Sequence, residues 1–219
     1  MQALIQIRTR RELGRDLPVL VWRFSRPARV IASAPSGGGY GVRRWVINAQ
    51  VPTSYARRDP ERHAAELGVL LGLAGRGVGM LTAADVRAHT TGHDGDVEAD
   101  ATVGLGHPIQ AAAPEPPAPV EEVGTINLVV LVPARLSDAA LVNAVSTVAE
   151  AKAQALRDLG LAATGTATDA VCIACAPDGV ATAFGGPRSE WGARIARAVH
   201  AAVVDGGRAS AAVSPAVTG

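Results

Sequence analysis

Residues 125–132 read TINLVVLV, and residues 137–160 then read SDAALVNAVSTVAEAKAQALRDLG. The first run is too continuously apolar for a strand with one wet face, so it predicts a strand buried on both sides. Ser137 can cap a helix over Asp138–Leu159, and Gly160 sits where a glycine ends one. A buried strand feeding a long helix points to an α/β or α+β layered sandwich of mixed sheet and helices.

Downstream lie a polar turn, Ala163–Thr168, and strand candidates at Asp169–Ala176 and Val180–Phe184. A last helix carries Trp191, Ile195, Val199 and Val203 on one face, and residues 205–219 are expected as a flexible tail. Upstream, residues 111–122 form a Pro-rich loop that separates two unequal parts. Before it come strand candidates at Leu17–Phe24, Ala28–Ala34, Val42–Val51, Met80–Val86 and Val97–Leu105. A helix opens at Asp59, which can cap it, with Pro60 in its first turn. Polar Gly-bearing turns are read at Ser36–Gly39 and His93–Asp96.

The two parts look related. Asn48 and Val51-Pro52 precede one helix and an Asp-Gly turn at Asp94, as Asn127 and Val132-Pro133 precede another helix and an Asp-Gly turn at Asp178. The order suggests a duplicated strand–helix–strand–strand unit within one domain over residues 1–204.

Composition narrows the class. The chain has 219 residues, 48% of them hydrophobic, and a net charge of +1, which excludes a basic nucleic-acid arm and an acidic tail. No apolar run is long enough to span a bilayer, no signal peptide is visible, and two cysteines cannot form a disulfide framework, so a cytoplasmic protein without a membrane partner is expected. With seven aromatics the core must be aliphatic. Of 21 basic residues only Lys152 is a lysine.

That lysine shares a helical stripe with Leu141, Val145, Val148, Leu156 and Leu159. A buried ammonium must be paired or neutralised, and it is a compact titratable amine that arginine cannot imitate; alternatively its head snorkels to water. The turn ATGTATDAV offers Thr164, Gly165, Thr166, Thr168 and Asp169, a set that can bind amides or activate water, or simply stabilise a turn. Thr125 and Asn127 enter the buried strand, where a hydroxyl and an amide can hold an oxyanion. The Gly124-Thr125 bond after a loop also resembles self-processing hydrolases with an N-terminal Thr nucleophile. Cys172 and Cys175 read as core packing, and the five scattered histidines form no metal motif.

Taken in order, Ser36-Gly37-Gly38-Gly39, Ile47-Asn48 with Val51 and Tyr55, Gly79–Ala84, Ala101–Leu105, Gly124–Asn127, Glu150-Ala151-Lys152 and Thr164–Asp169 resemble the adenosylcobinamide amidohydrolases, also called CbiZ. The resemblance runs from about Arg8 to Val199. It implies hydrolysis of the amide joining aminopropanol to adenosylcobinamide, giving adenosylcobyric acid and 1-aminopropan-2-ol, in corrinoid salvage. A corrinoid is then the partner, a homo-oligomer stays open, and no protein-bound cofactor is required, since cobalt arrives within the substrate. Lys152, Asp169, Thr125 and Asn127 are the expected catalytic set, with Asp169 or a Thr-activated water attacking and Asn127 holding the oxyanion. Ser36, Gly37, Gly38, Asn48, Thr82, Thr102, Gly165, Thr166 and Thr168 are the expected substrate contacts. Gly106-His107-Pro108 departs from the family pattern, where an Asn is expected, and leaves the corrinoid preference open. The rivals are a corrinoid-binding protein without catalysis and an amidase for another small amide.

Overall fold

In the computed structural model, which describes residues 2–114 and 124–213, β-structure begins sooner than the sequence reading placed it. Strand β1 (Ala3–Glu12) is an edge strand paired antiparallel with β2 (Arg15–Ala32). Leu13 and Gly14, both at positive φ (50° and 74°), make the two-residue hairpin turn that this pairing needs. The two strands expected at Leu17–Phe24 and Ala28–Ala34 are one strand, β2. The register shift between Arg23 and Ala28 shows why: Ser25-Arg26-Pro27 is accommodated as a bulge, where proline's missing N–H breaks no ladder bond.

Next come β3 (Gly39–Gln50), helix α1 (Pro60–Leu70) and β4 (Gly77–Thr82). Asp59 does occupy the cap position of α1, but its carboxylate makes no cap and instead accepts two 2.9 Å bonds from Arg57. A strand absent from the sequence reading, β5 (Thr90–Asp94), pairs with β6 (Val97–Gly104) across the predicted Asp-Gly turn. Strand β7 (Thr125–Val132) leads into α2 (Asp138–Asp158), where the Ser137 hydroxyl accepts from Ala140 N at 3.1 Å, and then into β8 (Ala170–Cys175).

The expected strand at Val180–Phe184 is not formed. Val180 and Phe184 are exposed, and the segment contributes only an isolated bridge between Thr182 and Leu136. Helix α3 (Glu190–Val213) continues past Asp205, so residues 205–213 are helical rather than a loose tail. Residues 214–219, and residues 115–122 of the Pro-rich loop, lie outside the described residues.

The strands run in the order β4-β3-β2-β8-β7-β6-β5, with β1 on the first half of β2. Only β3/β4 and β7/β8 are parallel, each pair joined by its own helix, α1 or α2. Each half therefore contains one parallel strand–helix–strand unit, as the expected repeat requires. The fourth strand of the expected repeat is missing from the second half, because Val180–Phe184 has no buried face.

Alternation along each strand sorts side chains into three cores. One holds Leu20, Trp22, Val46, Met80, Val129, Leu131 and Cys172, contributed by both halves of the sheet facing each other. The second packs β6, β7 and β8 under α2 and α3, and the third packs Val21, Trp45 and Ile47 under α1 through Leu67. The result is four layers, α1 over one half-sheet and α2 and α3 over the other. Gly77 belongs under the Trp45 ring, because a Cβ there would stand 2.0 Å from it. Among the described residues no helix is long and apolar enough to cross a membrane.

Candidate active site

The face shared by the two half-sheets is apolar through its middle and polar at one end. On β7, Ile126 and Leu128 pack toward α2 and α3, whereas Asn127 and Val129 look into the space between the half-sheets. Asn127 donates from Nδ2 to Asn48 Oδ1 (2.9 Å) on β3 and to the carbonyl of Leu81 (3.0 Å) on β4. Because a carbonyl can only accept, the Leu81 bond fixes which carboxamide atom is nitrogen. Asn48 in turn donates to Thr102 Oγ1 at 2.7 Å on β6. Thr82 ends β4 with its hydroxyl accepting from Ala84 N at 3.1 Å.

Just outside this seam lies the corner formed by the turn before β8 and the start of β7. Lys152 on α2 reaches Asp169 and forms an ion pair, both side chains being nearly nine-tenths buried (13% and 11% exposed). The carboxylate also accepts from Ile126 N (2.9 Å), Thr166 N (3.0 Å) and the Thr166 hydroxyl. Each oxygen thus takes two donors, which fills its acceptor capacity. Gly165 is required here, since a Cβ would lie 2.4 Å from Asp169 Oδ2 and 2.5 Å from Lys152 Nζ.

Beside the pair, the hydroxyls of Thr125 and Thr168 are 2.6 Å apart, and Thr168 donates onward to the carbonyl of Gly124 at 3.1 Å. With its single proton spent on Gly124, Thr168 receives the Thr125 proton. Thr168 is exposed, so the corner is open to solvent on that side. The segment 105–111 runs along its other side, with Ile109 N bonded to Gly165 O (2.8 Å) and Ala111 N to the Thr164 hydroxyl (2.8 Å). That places the Gly106-His107-Pro108 departure directly beside the site.

The structure therefore brings Lys152, Asp169, Thr125, Gly165, Thr166 and Thr168 into one cluster, with Asn127, Asn48, Thr102 and Thr82 on the adjoining seam. Ser36, Gly37 and Gly38 are engaged elsewhere. Ser36 pairs with Gly79 of β4, Arg43 bonds the Gly37 carbonyl, and a Cβ on Gly37 or Gly38 would collide with Gly77 O (2.0 Å) or Ala34 O (2.4 Å). Their loop follows Ser33, which is bonded to Val171 of β8, so it bridges β8 and β4 without a hydrogen bond to the cluster among the described residues.

Two polar groups escaped the sequence reading. Asp100 is buried on β6, accepting from Trp22 Nε1 (2.7 Å) and the Thr91 hydroxyl (2.6 Å). On the α1 side, Tyr55, His63, Glu12 and Arg10 form a chain. Tyr55 lies 3.0 Å from His63 Nδ1, His63 Nε2 is 3.0 Å from Glu12, and Arg10 donates to Glu12 at 2.8 Å. Burial holds the His63 pKa below its ordinary value. A cavity of about 330 Å3 opens there, lined by Arg10, Arg11, Glu12, Arg57, His63 and Glu66, and shares no lining residue with the Lys152 corner. Their partners lie far apart in sequence on different elements, so no motif marks them. Among the described residues no three His, Cys, Asp or Glu side chains gather as metal ligands would.

A layered α/β frame with a lysine–aspartate pair among threonine hydroxyls fits amide chemistry, and the comparisons with known proteins lead the same way. The sequence model of the adenosylcobinamide amidohydrolases matches residues 2–215. The chain is 30% identical over 171 residues to an adenosylcobinamide amidohydrolase of Methanosarcina mazei, covering 74% of this chain and 82% of that protein. A Halobacterium salinarum protein of the same name is 40% identical over 117 residues, half of this chain and 49% of the relative. An uncharacterised protein of Methanocaldococcus jannaschii is 34% identical over 95 residues, 40% of this chain and 37% of that one. The chain belongs to the adenosylcobinamide amidohydrolase family.

Proposed function

We propose that this chain hydrolyses the amide joining the aminopropanol group to adenosylcobinamide, yielding adenosylcobyric acid and 1-aminopropan-2-ol in corrinoid salvage. The observation that carries the reading is the Lys152–Asp169 ion pair set against the Thr125–Thr168 hydroxyl pair. Amide hydrolysis needs an attacking oxygen, charge beside the developing oxyanion and a proton for the departing amine.

Geometry divides these tasks. Asp169, saturated by four donors, orients Lys152 and fixes the turn instead of attacking. The attacking oxygen comes from the Thr125–Thr168 pair, whose proton has a ready path through Thr168. Lys152 supplies positive charge and the proton. Both Nδ2 hydrogens of Asn127 are committed to Asn48 and Leu81, so it positions the entry of β7, and the oxyanion falls to Lys152.

The chain has only seven aromatics, and Trp22, Trp45 and Phe24 among them are buried in cores, so the macrocycle would rest mainly on aliphatic side chains and glycine backbone. No protein-bound metal enters this mechanism, because cobalt comes inside the substrate. Two free, buried cysteines support a reducing, cytoplasmic setting. The test is incubation with adenosylcobinamide followed by mass spectrometry, in which adenosylcobyric acid and aminopropanol should both appear. Binding without products would mean a corrinoid carrier, and no interaction would mean an amidase for another substrate.

A further inference from the structure

Thr125 is the residue after Gly124, and the same Thr168 hydroxyl touches both. It lies 2.6 Å from Thr125 Oγ1 and 3.1 Å from the Gly124 carbonyl oxygen. A side-chain oxygen, the carbonyl preceding it and a hydroxyl that drains the first while polarising the second are the parts of an N-to-O acyl shift. We propose that the protein cuts its own Gly124–Thr125 peptide bond and that Thr125, freed as a new N-terminus, is the nucleophile of the mature enzyme. This rests on the Thr125–Thr168 pair supplying the attacking oxygen.

The steps balance without a cofactor. Thr125 Oγ1 adds to the Gly124 carbonyl carbon while its proton passes through Thr168, and the carbonyl oxygen takes up charge against that hydroxyl. Collapse of the adduct breaks the C–N bond, the proton ends on the Thr125 nitrogen, and an ester remains. One water hydrolyses the ester to the Gly124 carboxylate and a Thr125 bearing both a free α-amine and its hydroxyl.

Three further features converge on this bond. Gly124 is buried, and a Cβ on it would lie 2.6 Å from Gly104 O and 3.0 Å from the Thr166 methyl group, so only glycine lets its carbonyl sit there. The corner also lacks a base in the intact chain. Asp169 is saturated, Lys152 is paired with it, and among the described residues no histidine hydrogen-bonds Thr125, Thr166 or Thr168. The Thr168 relay serves one intramolecular turnover, in which the scissile nitrogen finally takes the proton, whereas repeated attack on an external amide calls for a general base, and an N-terminal α-amine on the same residue is one. Finally, the two cysteines, the other intrinsic nucleophiles, are buried in cores, with the Cys172 thiol pushed up to about 12.

Intact mass spectrometry of the purified full chain after incubation at neutral pH tests this. Two pieces are expected, ending at Gly124 and beginning at Thr125, whose masses sum to that of the chain plus one water. N-terminal sequencing of the second should read Thr-Ile-Asn. Thr125→Ser should still cut, Thr125→Ala should stay whole, and Thr168→Ala should slow the cut roughly 100-fold. A wild-type chain that stays whole, or a Thr125→Ala chain cut at the same bond, overturns the proposal. A whole chain that hydrolyses adenosylcobinamide overturns self-processing alone, whereas a self-cut chain inert toward adenosylcobinamide overturns the substrate assignment alone.

Discussion

Asn127, near the start of β7, donates to Asn48, near the end of β3, at 2.9 Å across the space between the two half-sheets. The two strand–helix–strand units thus meet at the site. Replacing Asn48 with Leu keeps the branched shape but strands an Asn127 donor and the Thr102 hydroxyl in a dry seam. Each unpaired buried group costs about 1–3 kcal/mol. Thermal unfolding should report a loss of about 2–4 kcal/mol, and a neutral variant would mean the seam is wet.

Under the proposed function Lys152 has a structural and a chemical role, and two variants separate them. Lys152→Met should lower kcat by at least about 100-fold. It should also destabilise by about 3 kcal/mol, because Asp169 is left buried without its cation. Adding Asp169→Asn removes the stranded charge, so the double variant should regain much of the Tm while its activity stays lost. Recovery of activity along with Tm would show that the ammonium only holds the turn.

Gly165 gives a sharper probe, for the atoms nearest a Cβ added there all belong to this pair. In Gly165→Ala the new methyl competes with Asp169 Oδ2 and Lys152 Nζ for the same space, at 2.4 and 2.5 Å. The ion pair must open. The expected result is a fall in adenosylcobinamide turnover approaching that of Lys152→Met, measured by product mass, with far less change in Tm than in the single lysine variant.

What could be read from residues alone follows from how local the signal is. Strand β7, helix α2 and the inward lysine all announce themselves by periodicity, and the corner they form with ATGTATD is local enough to be seen as a cluster. Strand β1 is an edge strand rich in arginine and exposed along much of its length, so it lacks the clean apolar alternation that marks a half-buried strand. Val180–Phe184 fails in the opposite sense, carrying strand-forming side chains with no surface to bury them against. The donor commitments of Asn127 and the saturation of Asp169 depend on atoms brought together from strands far apart. So does the chain from Arg10 to Tyr55.

Burial raises the thiols of both Cys172 and Cys175, the first to about 12, and neither faces a cluster that would draw it into the thiolate form. Their three-residue spacing on β8 points them into different cores, Cys172 between the half-sheets and Cys175 beneath α2. Iodoacetamide at neutral pH should therefore leave the folded chain unmodified and add two groups once it is denatured. Rapid labelling of the native protein would show that β8 opens readily.

His63 sets an acid limit on stability that the carboxylates do not. It is buried beneath α1 against Glu12 and Tyr55, with Arg10, Arg57 and Glu66 nearby, and desolvation is the main cause of its lowered pKa. The unfolded chain takes up a proton near the ordinary value of 6.5. The folded chain resists that proton until lower pH, so the unfolded state binds more protons in between, and stability falls as pH drops below 6.5. Above 6.5 the contribution is fully present. Asp59, held at about 2 by Arg57, and Glu66, lowered by Arg62, stay ionised through this window. Glu98, raised by burial, works the other way, losing stability as pH rises through its folded value, and it is common to both proteins compared. The Tm difference between pH 7.5 and pH 5.5 should therefore be larger in the wild type than in His63→Gln. An equal difference would mean that His63 takes up its proton alike in the folded and unfolded chain, and a smaller one that it is held as a cation against Glu12.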